Sequence, residues 1–222
     1  MDMKKAIRER HSVRRYDPER PVGEEELSAL RKELAEINRE SGLHAQLIAG
    51  EPRAFSGMMA HYGGFSGVRD YFALVGKKEK ETEEAVGYYG ERLVLAAQCL
   101  GLNTCWVALT YKKIPGAIAV EKGEKLFCVI ALGHGLDPGK PHRSRTAEEI
   151  GGAPENCPDW YREGIEAALL APTAVNQQKF RFALQGEKVA ARPGSGALTR
   201  MDLGIAKLHF ELGSGKGREI WI

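Results

Sequence analysis

Two arginine-rich stretches and one turn of neutral amides hold most of the side chains in this sequence that could grip a polar ligand. RERHSVRRY (8–16) sets Arg8, Arg10, Arg14 and Arg15 around His11 and Ser12. Guanidinium groups make forked, charge-assisted bonds to phosphate oxygens, so arginines and a hydroxyl at a helix-to-strand junction suit a phosphate. They suit equally the solvated end of an N-terminal helix. HRSR (142–145) places Arg143 and Arg145 at alternate positions, on one side of an extended segment. Alone, such a pair reads as a surface loop. In APTAVNQQKFRF (171–182) an apolar helical run stops at Pro172, and Thr173, Asn176, Gln177 and Gln178 follow. A heteroaromatic ring with carbonyls and ring nitrogens would use such donors and acceptors. So would the loose backbone groups of a broken helix end.

Other chemistries find little support. GHGLDPGKP, RPGSGAL and the C-terminal GSGKG lack the strand, Ser/Thr and helix that frame a phosphate-binding loop. His44, His61, His134, His142 and His209 show no ligand spacing, and Cys99, Cys105, Cys128 and Cys157 form no CxxC. There is no GxSxG. A metal site, a structural disulfide and a nucleophilic hydrolase are therefore not expected, and no side chain is singled out as catalytic.

The chain has 222 residues with 32 basic and 30 acidic side chains, a formal net charge of +2. That balance makes no electrostatic case for nucleic acid or a membrane surface. No apolar run approaches the roughly 20 residues that span a bilayer, and MDMKKAIRERHS carries no apolar segment of a secretory leader. A cytoplasmic protein is expected.

The elements that must position these groups alternate between helix and strand. A short helix, KKAIRERHS, runs into an extended VRRYDPERPV broken by Pro18 and Pro21. An amphipathic helix spans about Glu24 to Ser41, with Leu27, Leu30, Leu34 and Ile37 at helical spacing and Gly42 as its stop. HAQLIAG reads as a brief strand, and residues 50–67 as a loop or irregular helix. RDYFALVG is a strand. From Glu83 a helix carries Val86, Leu93, Val94, Ala97 and Leu100 on one face, capped by Gly101, and leads into the strand NTCWVAL. LFCVIALG is another buried-type strand. GGAPENCPD (151–159) is the best linker candidate, followed by the helix WYREGIEAALLA, the strand pair FRFALQG and KVAARPG, and the helix TRMDLGIAKLHFELG. Helix, turn and strand recur faintly in both halves. The pattern predicts an α+β fold with a central mixed or antiparallel sheet flanked by helices.

Four patches together resemble the FMN-dependent nitroreductase family: RERHSVRRY, ERLVLAAQCLGLNTCWVAL (91–109), VIALGHGLDPGKPHRSR (129–145) and APTAVNQQKFRF. The second and third are the most specific. The fourth is similar to the family's APS-x-x-N-x-QPW-x-F turn, with Gln178-Lys179-Phe180 in place of Gln-Pro-Trp. That turn comes early in ordinary members and last here. The chain therefore looks like the fused or permuted type built of two half-domains, 1–150 and 151–222, which would share one flavin site. The order leaves both a monomer with a complete intrachain site and a homodimer open.

The resemblance implies that Arg10, Ser12 and Arg14, with His11, hold the FMN phosphate and ribityl chain, and that Arg143 and Arg145 meet the phosphate from the other side. It implies that Pro172, Thr173, Ala174, Asn176 and Gln178 line the ring or ribityl hydroxyls, with Cys105, Trp106 and Val107 along the flavin's other edge. The implied activity is ping-pong transfer of reducing equivalents from NAD(P)H to a small acceptor such as a nitroaromatic or quinone. The alternatives are a flavin-binding sensor or carrier without turnover, and a relative that uses reduced flavin for dehalogenation or flavin cleavage. No motif distinguishes NADH from NADPH or names the acceptor.

Overall fold

The computed structural model describes residues 1–152, 154 and 156–222. The linker expected over 151–159 includes Ala153 and Glu155, which lie outside the described residues.

The chain opens with helix α1 (Met3–Glu9), started by Asp2, whose side chain accepts from the Lys5 N–H. Helix α2 (Glu24–Ser41) carries three glutamates in its first turn, where the helix dipole favours negative charge. It ends at Gly42, whose left-handed φ of 69° a side chain would resist. Strand β1 (Gln46–Ile48) follows, then a 3-10 turn (Pro52–Phe55) and the short helix α3 (Met58–Tyr62).

Strands β1, β2 (Asp70–Lys77), β4 (Glu124–Gly133) and β3 (Asn103–Val107) form a four-stranded antiparallel sheet in the order β1-β2-β4-β3. Its central strands read as near-continuous apolar runs because both faces are covered. Phe72, Leu74, Ile130 and Leu132 pack on one side against Leu30, Ile37, Val86 and Leu93 of the long helices. Tyr71, Ala73, Val129 and Ala131 pack on the other against Phe55, Phe65, Val68 and Ile114.

Helix α4 (Lys80–Cys99) begins three residues before the expected Glu83. Its first turn is charged and shows no apolar periodicity, but Lys and Glu are good helix formers. Helices α5 (Asp159–Ala168) and α6 (Thr199–Ser214) build a second core with the hairpin β5 (Phe180–Gln185) and β6 (Lys188–Pro193). The hairpin is a separate two-stranded sheet. Both sheets are antiparallel, and parallel pairing among the described residues is confined to isolated bridges. Of the expected mixed or antiparallel central sheet, the structure has the antiparallel form, and β5 and β6, whose alternating burial leaves one face open, pair apart from it.

Helices α4 and α6 cross at two glycines. A Cβ on Gly87 would strike the Met201 carbonyl, and one on Gly204 would strike the Glu84 carbonyl. Gly164 of α5 leaves room in the same way for the Phe210 ring of α6. This close stacking carries the start of α6 against the end of β3, where the cleft lies.

Candidate functional site

A cleft of two adjoining chambers opens between the edge of the main sheet and the turn after α5. The first, about 550 Å³, is lined by Arg10, His11, Ser12, Arg14, Arg15 and Lys140 together with His142, Asp137, Pro172, Thr173, Val175 and Asn176. The second, about 380 Å³, is largely apolar, with Phe65, Cys105, Trp106, Val107, Leu198, Met201 and Ile205 among its walls. Ser12, Arg14, Pro172, Thr173 and Val175 line both.

The basic wall is set by local backbone geometry. Beyond the end of α1 the chain extends along β3, where Ser12 bridges Thr104 and the Val13 N–H donates to the Thr104 carbonyl at 3.0 Å. The Tyr16 N–H is tied to the Ser66 carbonyl, and its hydroxyl donates to the Val13 carbonyl at 2.7 Å. Residues 10–14 are thus held along the exposed edge of β3, the outer strand of the sheet.

Arg10 is 6% exposed, and its Nε is buried with no hydrogen-bond partner among the described residues. A guanidinium left in this state is costly unless an anion completes it. Arg15 by contrast is paired with Asp137 at 2.7 Å, and that cation holds the Asp137 carboxyl below its usual range. Burial lowers the pKa of His142, with Arg10 adding to the effect. His11 is lowered for the same reasons, burial first. Burial pushes the Cys105 thiol up, so it is a neutral wall and not a nucleophile.

The apolar wall is equally fixed. The Trp106 ring packs over Gly90, where a Cβ would strike it, and its Nε1 donates to Glu91 at 2.9 Å. Glu91 and His209 are fully buried and meet at 2.9 Å, and the other His209 ring nitrogen lies 3.2 Å from the Ala167 carbonyl. A carbonyl only accepts, so His209 Nδ1 carries its proton there.

The turn after α5 is strained. Val175, Asn176 and Gln178 have positive φ values of 45°, 55° and 46°, which non-glycine residues rarely adopt. The Thr173 hydroxyl accepts from the Gln178 N–H, while Asp202 of α6 accepts from the Ala174 N–H and from Gln177 Nε2. Val175 projects at the mouth of both chambers, 97% exposed.

The structure brings Arg10, His11, Ser12, Arg14, Cys105, Trp106, Val107, Pro172, Thr173, Ala174 and Asn176 into one cleft. It does not bring Arg143, Arg145 or Gln178 to its lining. Oγ of Ser144 donates to the Leu169 carbonyl at 2.9 Å, and the His142 ring reaches the same carbonyl, so the even positions of this segment face α5. Lys140 and His142 line the basic chamber instead, while Arg145 lines a separate hollow beside the hairpin. The alternation of HRSR does not say which side faces the cleft.

The amides also have structural work. Gln178 Nε2 donates to the Arg143 carbonyl and to Asn176 Oδ1, its Oε1 accepts from the Arg145 N–H, and Asn176 Nδ2 donates to the Arg143 carbonyl. These two side chains clamp the 143–145 segment to the turn. Asp202, Lys140, His142, Leu198, Met201 and Ile205 were not singled out in the sequence; the acidic first turn of α6 was the only visible hint.

The family described as "Putative TM nitroreductase" matches residues 2–214, and the chain belongs to it. No curated protein matches the sequence. The fold is similar to that of a "putative nitroreductase" from Thermotoga maritima, with 20% identity over 96% of this chain and 83% of that one and a TM-score of 0.65. A "putative nitroreductase in complex with FMN" from Desulfovibrio desulfuricans is also 20% identical, over 69% of this chain and 98% of its own, with a TM-score of 0.55. One from Exiguobacterium sibiricum, again in complex with FMN, is 15% identical over 69% and 97%, with a TM-score of 0.55. The α+β nitroreductase fold is thereby shown.

Proposed function

We propose that the chain is an FMN-dependent oxidoreductase that passes reducing equivalents from NAD(P)H to a small acceptor such as a nitroaromatic or quinone. The observation that carries this reading is the buried, unpartnered Nε of Arg10 in a basic chamber that continues into an apolar one. That sequence of environments fits a phosphate joined to a flat, mostly apolar ring, and FMN-bound relatives share the fold.

Arg10, Arg14, Lys140 and Ser12, with His11 and His142, would hold the phosphate and ribityl chain. Trp106, Val107 and Cys105 would face the ring on one side, with Pro172, Thr173 and Ala174 on the other. FMN bound there would supply the redox chemistry. The chain's own residues bind, orient and exclude water. Pairing of the phosphate with Arg10 supplies the missing acceptor, Phe65, Met201 and Ile205 keep the ring chamber dry, and Asp202 holds the turn in place. One apolar chamber serves donor and acceptor in turn, as ping-pong order requires. Because 1–150 and 151–222 both contribute walls, we read them as two halves of one intrachain site.

The test is FMN-loaded protein mixed with NADH or NADPH, followed at 340 nm before and after a quinone or nitroaromatic is added. Sustained consumption only with acceptor supports the oxidoreductase. Retained flavin with no consumption favours a binding protein without turnover.

A further inference from the structure

The four most exposed large apolar side chains among the described residues are Val175, Met58, Tyr62 and Leu109, between 81% and 97% exposed, and the next, Ile222, is 65% exposed. Scattered singly they would need no account, but these four gather at one opening. Leu109 and Val175 line the apolar chamber directly. Met58 and Tyr62 are spaced i, i+4 on α3 and so share a face of that helix. Gly63, the residue after α3, also lines the chamber, and it packs so closely on Thr110 that a Cβ there would lie 2.7 Å from the threonine side chain. Tyr62 and Leu109 each stand one residue from this contact. The support beneath them is fixed. Ala60 of α3 is buried, the Phe65 N–H donates to its carbonyl at 2.9 Å, and the Lys112 N–H donates to the Ala54 carbonyl at 2.8 Å. The mouth of the apolar chamber therefore carries an ordered apolar rim.

We infer that this rim receives the apolar substituent of the electron acceptor, so that the favoured acceptor is a quinone bearing an alkyl chain and not a small polar nitro compound. This rests on the proposed oxidoreductase reading. The chamber, about 380 Å³, is at the lower end of ligand pockets, which run from about 300 to about 1,000 Å³. With a flavin ring also in it, the chamber has room for little more than the reacting ring of an acceptor, and a substituent must leave by the mouth. One way out leads along the basic chamber, where an alkyl chain gains nothing. The other crosses Leu109, Val175 and the exposed face of α3, where burial of each methylene is favourable. Methionine suits such a surface, because its unbranched side chain adapts to irregular apolar shapes. In the overall reaction NAD(P)H gives up a hydride, solvent gives one proton, and the quinone leaves as the hydroquinone with NAD(P)+ as the other product.

The test uses 1,4-naphthoquinones with a methyl, butyl or octyl group at position 2, on FMN-loaded parent and Met58→Ser/Tyr62→Ser protein. Equilibrium dialysis without NAD(P)H gives the affinity, and NAD(P)H oxidation gives kcat/KM. A fully buried methylene is worth about fourfold in affinity. Because the rim is open on one side, both quantities are expected to rise about a hundredfold from methyl to octyl in the parent, and about tenfold or less in the double variant. Affinity that does not depend on chain length overturns the proposal, as does a double variant that keeps the parent's full rise. Sedimentation of both proteins covers the other occupant: a dimeric parent that becomes monomeric in the double variant assigns the rim to a second copy of the chain and also overturns it. Chain-dependent affinity without NAD(P)H oxidation contradicts the oxidoreductase reading alone and supports the rim as an apolar ligand surface. Turnover of the methyl compound with no gain from the longer chains contradicts the rim alone. If the protein takes up no FMN, the same dialysis on flavin-free protein still decides the rim.

Discussion

Asp202 Oδ1 accepts the backbone N–H of Ala174 at 2.9 Å, so a carboxylate in the first turn of α6 fixes the strained turn between the two chambers. Its other oxygen accepts from Gln177 Nε2 at 2.7 Å. Burial raises its pKa to about 6, although both hydrogen bonds pull the other way. The folded value lies above the unfolded one, so the native state takes up a proton between about pH 4 and 6. Stability relative to Asp202→Asn therefore falls as pH rises through that window and is flat above it, by up to about 3 kcal/mol. Urea unfolding of both proteins at pH 4, 5, 6 and 7 checks this; a difference that does not change with pH contradicts it.

The two histidines of the basic chamber have the opposite sign. Burial and the Arg10 cation lower the pKa of both His11 and His142. Without ligand, the unfolded chain binds these protons more readily, so native stability is lost as pH falls through 6.5 and below. A bound phosphate reverses the field and draws protons onto the rings. FMN affinity should then rise on acidification below pH 6.5, by at most about tenfold per pH unit for each coupled proton. Quenching of FMN fluorescence from pH 5.5 to 8, with a His11→Gln/His142→Gln protein as reference, measures it. Identical profiles would remove the histidines from the site.

At the α4–α6 crossing, Gly204→Ala would force a methyl into the Glu84 carbonyl. Overpacking of this kind costs about 1–3 kcal/mol. Thermal unfolding should show a lowered Tm for Gly204→Ala and for Gly87→Ala, whereas Gly57→Ala, with open space and a negative φ, should change little.

Glu91 and His209 illustrate a buried pair that is expensive to break. Glu91→Ala strands His209 and the Trp106 N–H, at about 3–5 kcal/mol. Glu91→Gln keeps an acceptor for Trp106 and a donor for a neutral His209, so it should cost clearly less. Equal losses in denaturant unfolding would mean the pair's charge, and not its hydrogen bonding, matters most.

Much of the architecture is legible locally. The α2 boundaries follow from an apolar stripe, acidic first turn and terminal glycine, and β2 and β4 follow from apolar runs of strand length. Much of the cleft's basic edge is visible in RERHSVRRY, because Arg10, His11, Ser12, Arg14 and Arg15 lie on one short segment. Asp202, Lys140 and His142 are not visible in this way. Their place depends on helix crossings and on which side a loop turns, and neither leaves a local pattern. Asn176 and Gln178 show a further limit of composition: the sequence displays their donors and acceptors, but not that the Arg143 carbonyl accepts from both side chains and the Arg145 N–H donates to Gln178 Oε1.

The most direct measurement is the visible spectrum of purified protein after FMN is added and unbound flavin is removed by gel filtration, alongside Arg10→Ala. The account predicts a retained flavin spectrum in the parent and its loss in Arg10→Ala, with the variant's circular dichroism unchanged. A colourless parent, or a folded Arg10→Ala protein that holds FMN as tightly as the parent, would contradict it.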